Sequence, residues 1–118
     1  MSDVTVLHNP KCSTSRAAIE AVDAAGTQAE VVQYLKEPLD EAALRELIGK
    51  LEDEPTDLVR RDSFFKEQGL TDADVATVDQ VVAVLVEHPR LMQRPVLVKG
   101  DVAIIGRPKE RVAPFLAG

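Results

Sequence analysis

The chain has 118 residues and a mass of 12.8 kDa, which gives room for one domain burying about two-thirds of its unfolded surface and excludes a second. Hydrophobic residues at 45% and charged residues at 29% exclude a disordered chain, and aromatic residues at 3% leave the core to Val, Leu, Ala and Ile. A net charge of −6 and a pI near 4.9 exclude a general nucleic-acid or anionic-membrane surface, so an anion site has to be a local cluster of arginines.

In chain order, Val4-Thr5-Val6-Leu7 is a β-branched run suited to a buried strand, and Arg16 to Gly26 reads as a helix ending on glycine. Ala29 to Leu35 is a second strand, parallel to the first across a βαβ unit, broken by Lys36-Glu37-Pro38. Asp40 caps a helix whose Leu44, Leu47, Ile48 and Leu51 share one buried face. From Glu52 to Pro89 the character is helical. Pro55 starts a short helix through Arg60 and Arg61, Asp62 starts another carrying Phe64 and Phe65, and Gly69 breaks the run. Thr77-Val78-Asp79-Gln80 has the capping-box form, and Pro89 ends the helix that follows. Val96-Leu97-Val98 and Val102 to Ile105 make a hairpin around Lys99-Gly100-Asp101, and a last short helix begins at Pro108. Pro114 sits far enough into it to end or kink it. The order β-α-β-α, helical insertion, β-β-α is an α/β layer around a four-stranded mixed sheet.

Leu7 to Arg16 holds the single cysteine, Cys12, between a strand and a helix N-terminus. Exposed N–H groups and the positive end of a helix favour a thiolate, moving a thiol pKa of about 8.5 toward the roughly 3.5–7.5 range of reactive cysteines, and the same end binds anions. Ser13 and Thr14 offer hydroxyls that cap this helix or contact a ligand. The plain alternative for Cys12 is a small buried hydrophobe, but a core cysteine has no need of a turn flanked by Asn, Pro, Ser and Thr. One cysteine forms no internal disulfide, and a free reactive thiol suits a reducing compartment. With no charged-then-apolar leader and no apolar run of about 18 residues, the expectation is a cytoplasmic protein with no membrane contact. His8 and His88 lie far apart with one cysteine, which is no zinc spacing, so no metal is expected.

His8-Asn9-Pro10-Lys11-Cys12-Ser13-Thr14-Ser15-Arg16, followed by Arg94-Pro95-Val96-Leu97-Val98 and Gly106-Arg107-Pro108, resembles the glutaredoxin-coupled class of arsenate reductases. The likeness covers nearly the whole chain in three motifs of matching order. Ser13 departs from it, standing where members often carry glycine. The resemblance implies a single thioredoxin-like domain over residues 1–118. Its four-stranded mixed sheet is flanked by helices, with a helical insertion at about 52–90 between the second and third strands. It also implies that Arg60, which matches the family's arginine in Leu58-Val59-Arg60, joins Arg94 and Arg107 in an oxyanion cradle around Cys12. Guanidinium forks suit a tetrahedral oxyanion because they donate in pairs and stay protonated. Arg16 and Arg61 read as surface residues. His8 and Ser15 stand as supporting residues, His8 through a hydrogen bond or positive charge that favours the thiolate. Pro95 stands as a cis proline packed against the active cysteine.

The activity so implied is arsenate reduction, with the Cys12 thiolate attacking arsenic while the arginines neutralise the oxygens. A small thiol such as glutathione then attacks the adduct, arsenite leaves, and a glutaredoxin-like protein resolves the disulfide between the partner thiols. No tightly bound cofactor, nucleic acid or membrane is involved, and the chain is expected to act as a monomer. Two other classes use the same residues: a monothiol glutaredoxin-like oxidoreductase built on Cys12-x-x-Ser15, and a transcription regulator of this fold. The regulator's disulfide switch has no second cysteine here, because Ser15 occupies that position. A cysteine phosphatase is excluded, since its Cys-x5-Arg loop would need arginine where Ala18 stands.

Overall fold

A computed structural model describes residues 3–117; residues 1, 2 and 118, the ends of the expected domain, lie outside the described residues. Val4–His8 forms β1, Ser13–Ala24 α1 and Ala29–Gln33 β2, with β1 and β2 parallel in a register that runs from Val4 opposite Ala29 to His8 opposite Gln33. Val96–Lys99 (β3) and Val102–Ile105 (β4) form the expected hairpin, turned at Gly100 with φ +60°. Antiparallel pairing of β3 with β1 completes a four-stranded mixed sheet of order β2-β1-β3-β4.

Side-chain alternation along these strands divides the core between two faces. Val4, Val6, Leu97 and Ile104 meet Ala18 and Val22 of α1 and Val112 of α5 (Val112–Ala117). Leu7, Val96, Ala103 and Ile105 point the other way, onto Leu44, Leu47 and Ile48 of α2 (Glu41–Lys50) and Val81, Val82 and Leu85 of α4 (Val78–Glu87). The central strands are therefore covered on both sides, while β2 at the edge leaves Val31 exposed. The helix starts are written locally. Asp40 accepts the Ala43 N–H at 2.8 Å, Asp62 accepts the Phe65 N–H at 3.0 Å to open α3 (Ser63–Glu67), and Thr77 and Gln80 close the capping box of α4.

Four boundaries differ from expectation, each for a physical reason. Helix α1 starts at Ser13, with Cys12 itself as N-cap and no hydroxyl capping it, so the first-turn N–H groups stay available to a ligand or to sulfur. Strand β2 ends at Gln33, because the Lys36 and Glu37 N–H groups turn back onto the Gln33 carbonyl. The turn begun by Pro55 is a 3-10 turn that stops at Leu58, so Arg60 and Arg61 follow it rather than ending a helix. Buried, β-branched Val59 pairs antiparallel with Met92 instead, flanked by Arg60 N–H to Leu91 O and Gln93 N–H to Leu58 O, both at 2.7 Å. Finally, a 3-10 turn over Lys109–Arg111 delays α5 to Val112, which puts Pro114 in the first helical turn, where no N–H partner is required.

Candidate active site

Between His8 and Ser13 the chain has four residues in which to turn, and Asn9 closes the turn. Its carbonyl accepts the Cys12 N–H at 3.0 Å, its Oδ1 accepts the Lys11 N–H at 3.0 Å, and its own N–H donates to Ser15 Oγ at 3.4 Å. Ser15 is 0% exposed, on the face of α1 that buries Ala18 and Val22. Its hydroxyl thus anchors the loop. Arg16 braces the same loop from outside by donating to the Pro10 carbonyl at 2.9 Å. Ser13 needs no glycine-like freedom, since no residue but glycine has a positive φ among the described residues.

Cys12 caps the helix in extended conformation (φ −100°, ψ 123°) and is 9% exposed. Burial pushes the thiol pKa up, but the Ser15 N–H, the Arg94 side chain and the Thr14 N–H outweigh it and bring the value down to about 6. At neutral pH the sulfur is therefore mostly thiolate. Arg107 adds a donor, with Nη1 3.7 Å from Cys12 Sγ and 3.1 Å from the Arg94 carbonyl.

The elements that bring these arginines together come from distant parts of the chain. Arg94 and Arg107 flank the β3–β4 hairpin, and the Gly106 N–H bonds the Pro95 carbonyl at 2.8 Å, tying the two ends together. A Cβ at position 106 would stand 2.9 Å from both Leu97 Cδ1 and Pro95 Cγ, so this close approach requires glycine. The Arg94–Pro95 peptide is cis as expected, and so is Arg107–Pro108. Arg60 arrives through the pairing of its segment with residues 91–93. Burial and then the charge of Arg94 disfavour its protonated form, with Arg107 acting in the same direction and Asp62, at 3.3 Å, offsetting it. Three like charges facing one another create a place whose energy falls when an anion enters. A cleft of about 200 Å³ opens beside Arg60 and Arg107, lined also by Arg61, Asp62 and Gln93 but not by Arg94 or Cys12.

Not every expected neighbour takes the expected part. His8 is 9% exposed, its Nδ1 has no partner, and burial followed by the Arg16 charge lowers its pKa, so it is neutral at pH 7 and supplies no positive charge to the thiolate. Arg61 spends its donors on Thr56, the Val59 carbonyl and Asp72, as a structural residue should. Asn9 and Gly106, which shape the loop and the arginine spacing, stand out only through contacts that a linear pattern does not contain. Among the described residues no three His, Cys, Asp or Glu side chains gather as a metal site, and no helix is long and apolar enough to cross a membrane.

The chain is 34% identical over 118 residues to an arsenate reductase of Neisseria meningitidis, covering 98% of this chain and 100% of that one. It is 32% identical to an arsenate reductase of Escherichia coli, covering 98% of this chain and 82% of that protein. Its thioredoxin-like fold superposes on the structure of an arsenate reductase from Vibrio cholerae with a TM-score of 0.85 at 32% identity, over 96% of this chain and 97% of that one. The sequence profile of the ArsC family matches residues 7–115, a span that contains the Cys12 loop and all three clustered arginines, and the chain belongs to that family.

Proposed function

We propose that this protein is a thiol-dependent arsenate reductase in which Cys12 is the nucleophile. The observation that supports it most is the setting of the sulfur: a thiolate at a helix N-terminus with a pKa near 6, Arg107 Nη1 at 3.7 Å and Arg94 beside it, with Arg60 next to those two arginines. Thiolate attack on arsenic forms an S–As bond while one As–OH bond breaks, the hydroxyl taking a proton from solvent to leave as water, and the guanidiniums offset charge on the remaining oxygens. Arsenic at this point is still pentavalent. Two electrons are then needed, and thiol chemistry delivers them by joining two sulfurs in a disulfide.

Cys12 is the only thiol in the chain, and the Ser15 hydroxyl forms no disulfide. A small external thiol of the glutathione type attacks the adduct, arsenic leaves as arsenite, and a glutaredoxin-like protein resolves the disulfide that remains. Thiol–disulfide exchange alone gives no reason for two guanidiniums at the sulfur with a third beside them, which favours an oxyanion substrate over a glutathionylated protein. The test is arsenate-dependent turnover with a panel of thiol donors for the wild type and Cys12→Ser. Turnover in the wild type and none in the variant supports the reading, and arsenate reduction retained by Cys12→Ser refutes it.

A further inference from the structure

Besides His8 Nδ1, two buried polar groups of the site, the Tyr34 hydroxyl and Arg94 Nε, make no well-formed hydrogen bond, although the Arg94 and Asn9 side chains stand within reach of the hydroxyl. The β1–β2 register, with His8 opposite Gln33, sets Tyr34 level with Asn9 at the carboxyl ends of the two parallel strands, beside the first residue of the Cys12 loop. Tyr34 is 1% exposed, and its ring packs among Leu39, Leu44, Leu85, Pro89 and Met92. Its hydroxyl end faces Arg94, Arg60 and Asn9. Burial raises the phenol pKa more than the Arg94 charge lowers it, so the group remains an O–H donor at neutral pH.

Counting donors and acceptors makes the gap specific. Arg94 and Arg60 are donors only and can give a hydrogen bond to the phenol oxygen but accept none, while Asn9 Oδ1 has one of its two lone pairs taken by the Lys11 N–H. The phenol O–H and the Arg94 Nε–H thus share a buried neighbourhood short of acceptors, and a buried donor left so is costly enough to call for an explanation. A ligand that satisfies both brings acceptor oxygens. We infer that Tyr34 is an oxyanion-binding residue: its hydroxyl donates to an oxygen of the tetrahedral anion held by Arg60, Arg94 and Arg107, adding a contact without adding charge. This rests on the proposed function for the identity of the anion as arsenate, and on the arginine cluster for its chemical class.

Tyr34 is the single tyrosine of a chain without tryptophan, so tyrosine emission reports this side chain alone. The experiment compares the wild type with Tyr34→Phe, which keeps the ring. Three quantities are read: the arsenate concentration that half-protects Cys12 from iodoacetamide, the thermal midpoint, and, in the wild type, emission during arsenate addition. The half-protecting concentration is expected to rise about tenfold in the variant, the order of one hydrogen bond to a charged group. The thermal midpoint stays level or rises, because an unpartnered hydroxyl has been removed, and arsenate shifts the wild-type emission. Equal half-protection in both proteins, no protection in the wild type, or protection lost together with a lowered thermal midpoint overturns the inference. Absence of arsenate turnover in the wild type counts against the proposed function alone, since neither protection nor emission requires the anion to be reduced.

Discussion

Arg61 and Arg111 lie close in space to Arg60 and Arg107, yet they do opposite work. Arg111 donates to Asp53 and to the Ile105 carbonyl, both within 2.9 Å, and Arg61 is held by Thr56, Val59 and Asp72. Asp53 in turn accepts the Ile105 N–H, so this group of charges fastens β4 to the segment after α2. Around Cys12, by contrast, no carboxylate pairs with Arg94 or Arg107 among the described residues, and Arg94 Nε has no acceptor at all. An arginine whose donors are filled by the protein holds a fold together. One whose donors converge on a thiolate is left for a ligand, and only the pattern of partners tells the two apart.

The largest effect belongs to the sulfur. Cys12→Ser is expected to lower arsenate turnover on the order of 10³-fold or more, measured as arsenite released under saturating thiol. Arg94→Ala comes next, at about 10²-fold in turnover, the usual loss for one removed oxyanion donor. In the same variant the pH midpoint of Cys12 alkylation moves up from about 6, because a group that favours the thiolate is gone. Arg111→Ala provides the contrast: a loss of about 1–3 kcal/mol in folding stability by denaturant titration, with turnover per folded molecule retained. A large fall in turnover without a fall in stability would erase the distinction between the two sets.

Smaller effects sharpen the same comparison. Gly106→Ala forces a methyl against Leu97 and Pro95, and is expected to cost about 1–3 kcal/mol in stability while weakening arsenate protection of Cys12, because Arg107 is the next residue. The last effect is in pH linkage and is the most gradual. The folded thiol ionises near pH 6 and the unfolded one near 8.5, so the unfolded chain binds more protons in between. Stability of the wild type relative to Cys12→Ser therefore grows as pH rises through that window, and the difference disappears as pH falls through 6. Parallel stability curves across this range would mean that the thiolate is not favoured by folding.

Features fixed within a few residues were legible in the sequence. The caps at Asp40, Asp62 and Thr77, the hairpin around Gly100 and the reactive setting of Cys12 each follow from local spacing, and the structure carries them. Features that depend on distant pairing were not. The sequence places Arg60 in the cradle only through the resemblance; it reaches the cluster because Val59 pairs with Met92, more than thirty positions away, and nothing in the run Pro55 to Arg61 indicates that a 3-10 turn will give way to extended chain there. Tyr34 gains its place from the β1–β2 register, and Gly106 from an approach to Leu97 and Pro95. The neutrality of His8 likewise comes from burial, which a strand-end histidine does not announce.

The central claim is that one thiolate, held by arginines, reduces arsenate only with sulfur supplied from outside. The most direct measurement is arsenite formed per molecule of purified, reduced protein, first with arsenate alone and then with glutathione and a glutaredoxin added. No sustained turnover is expected in the first case and repeated turnover in the second. Repeated turnover with arsenate alone would contradict that claim, since a chain with one cysteine cannot by itself form the disulfide that yields the two electrons.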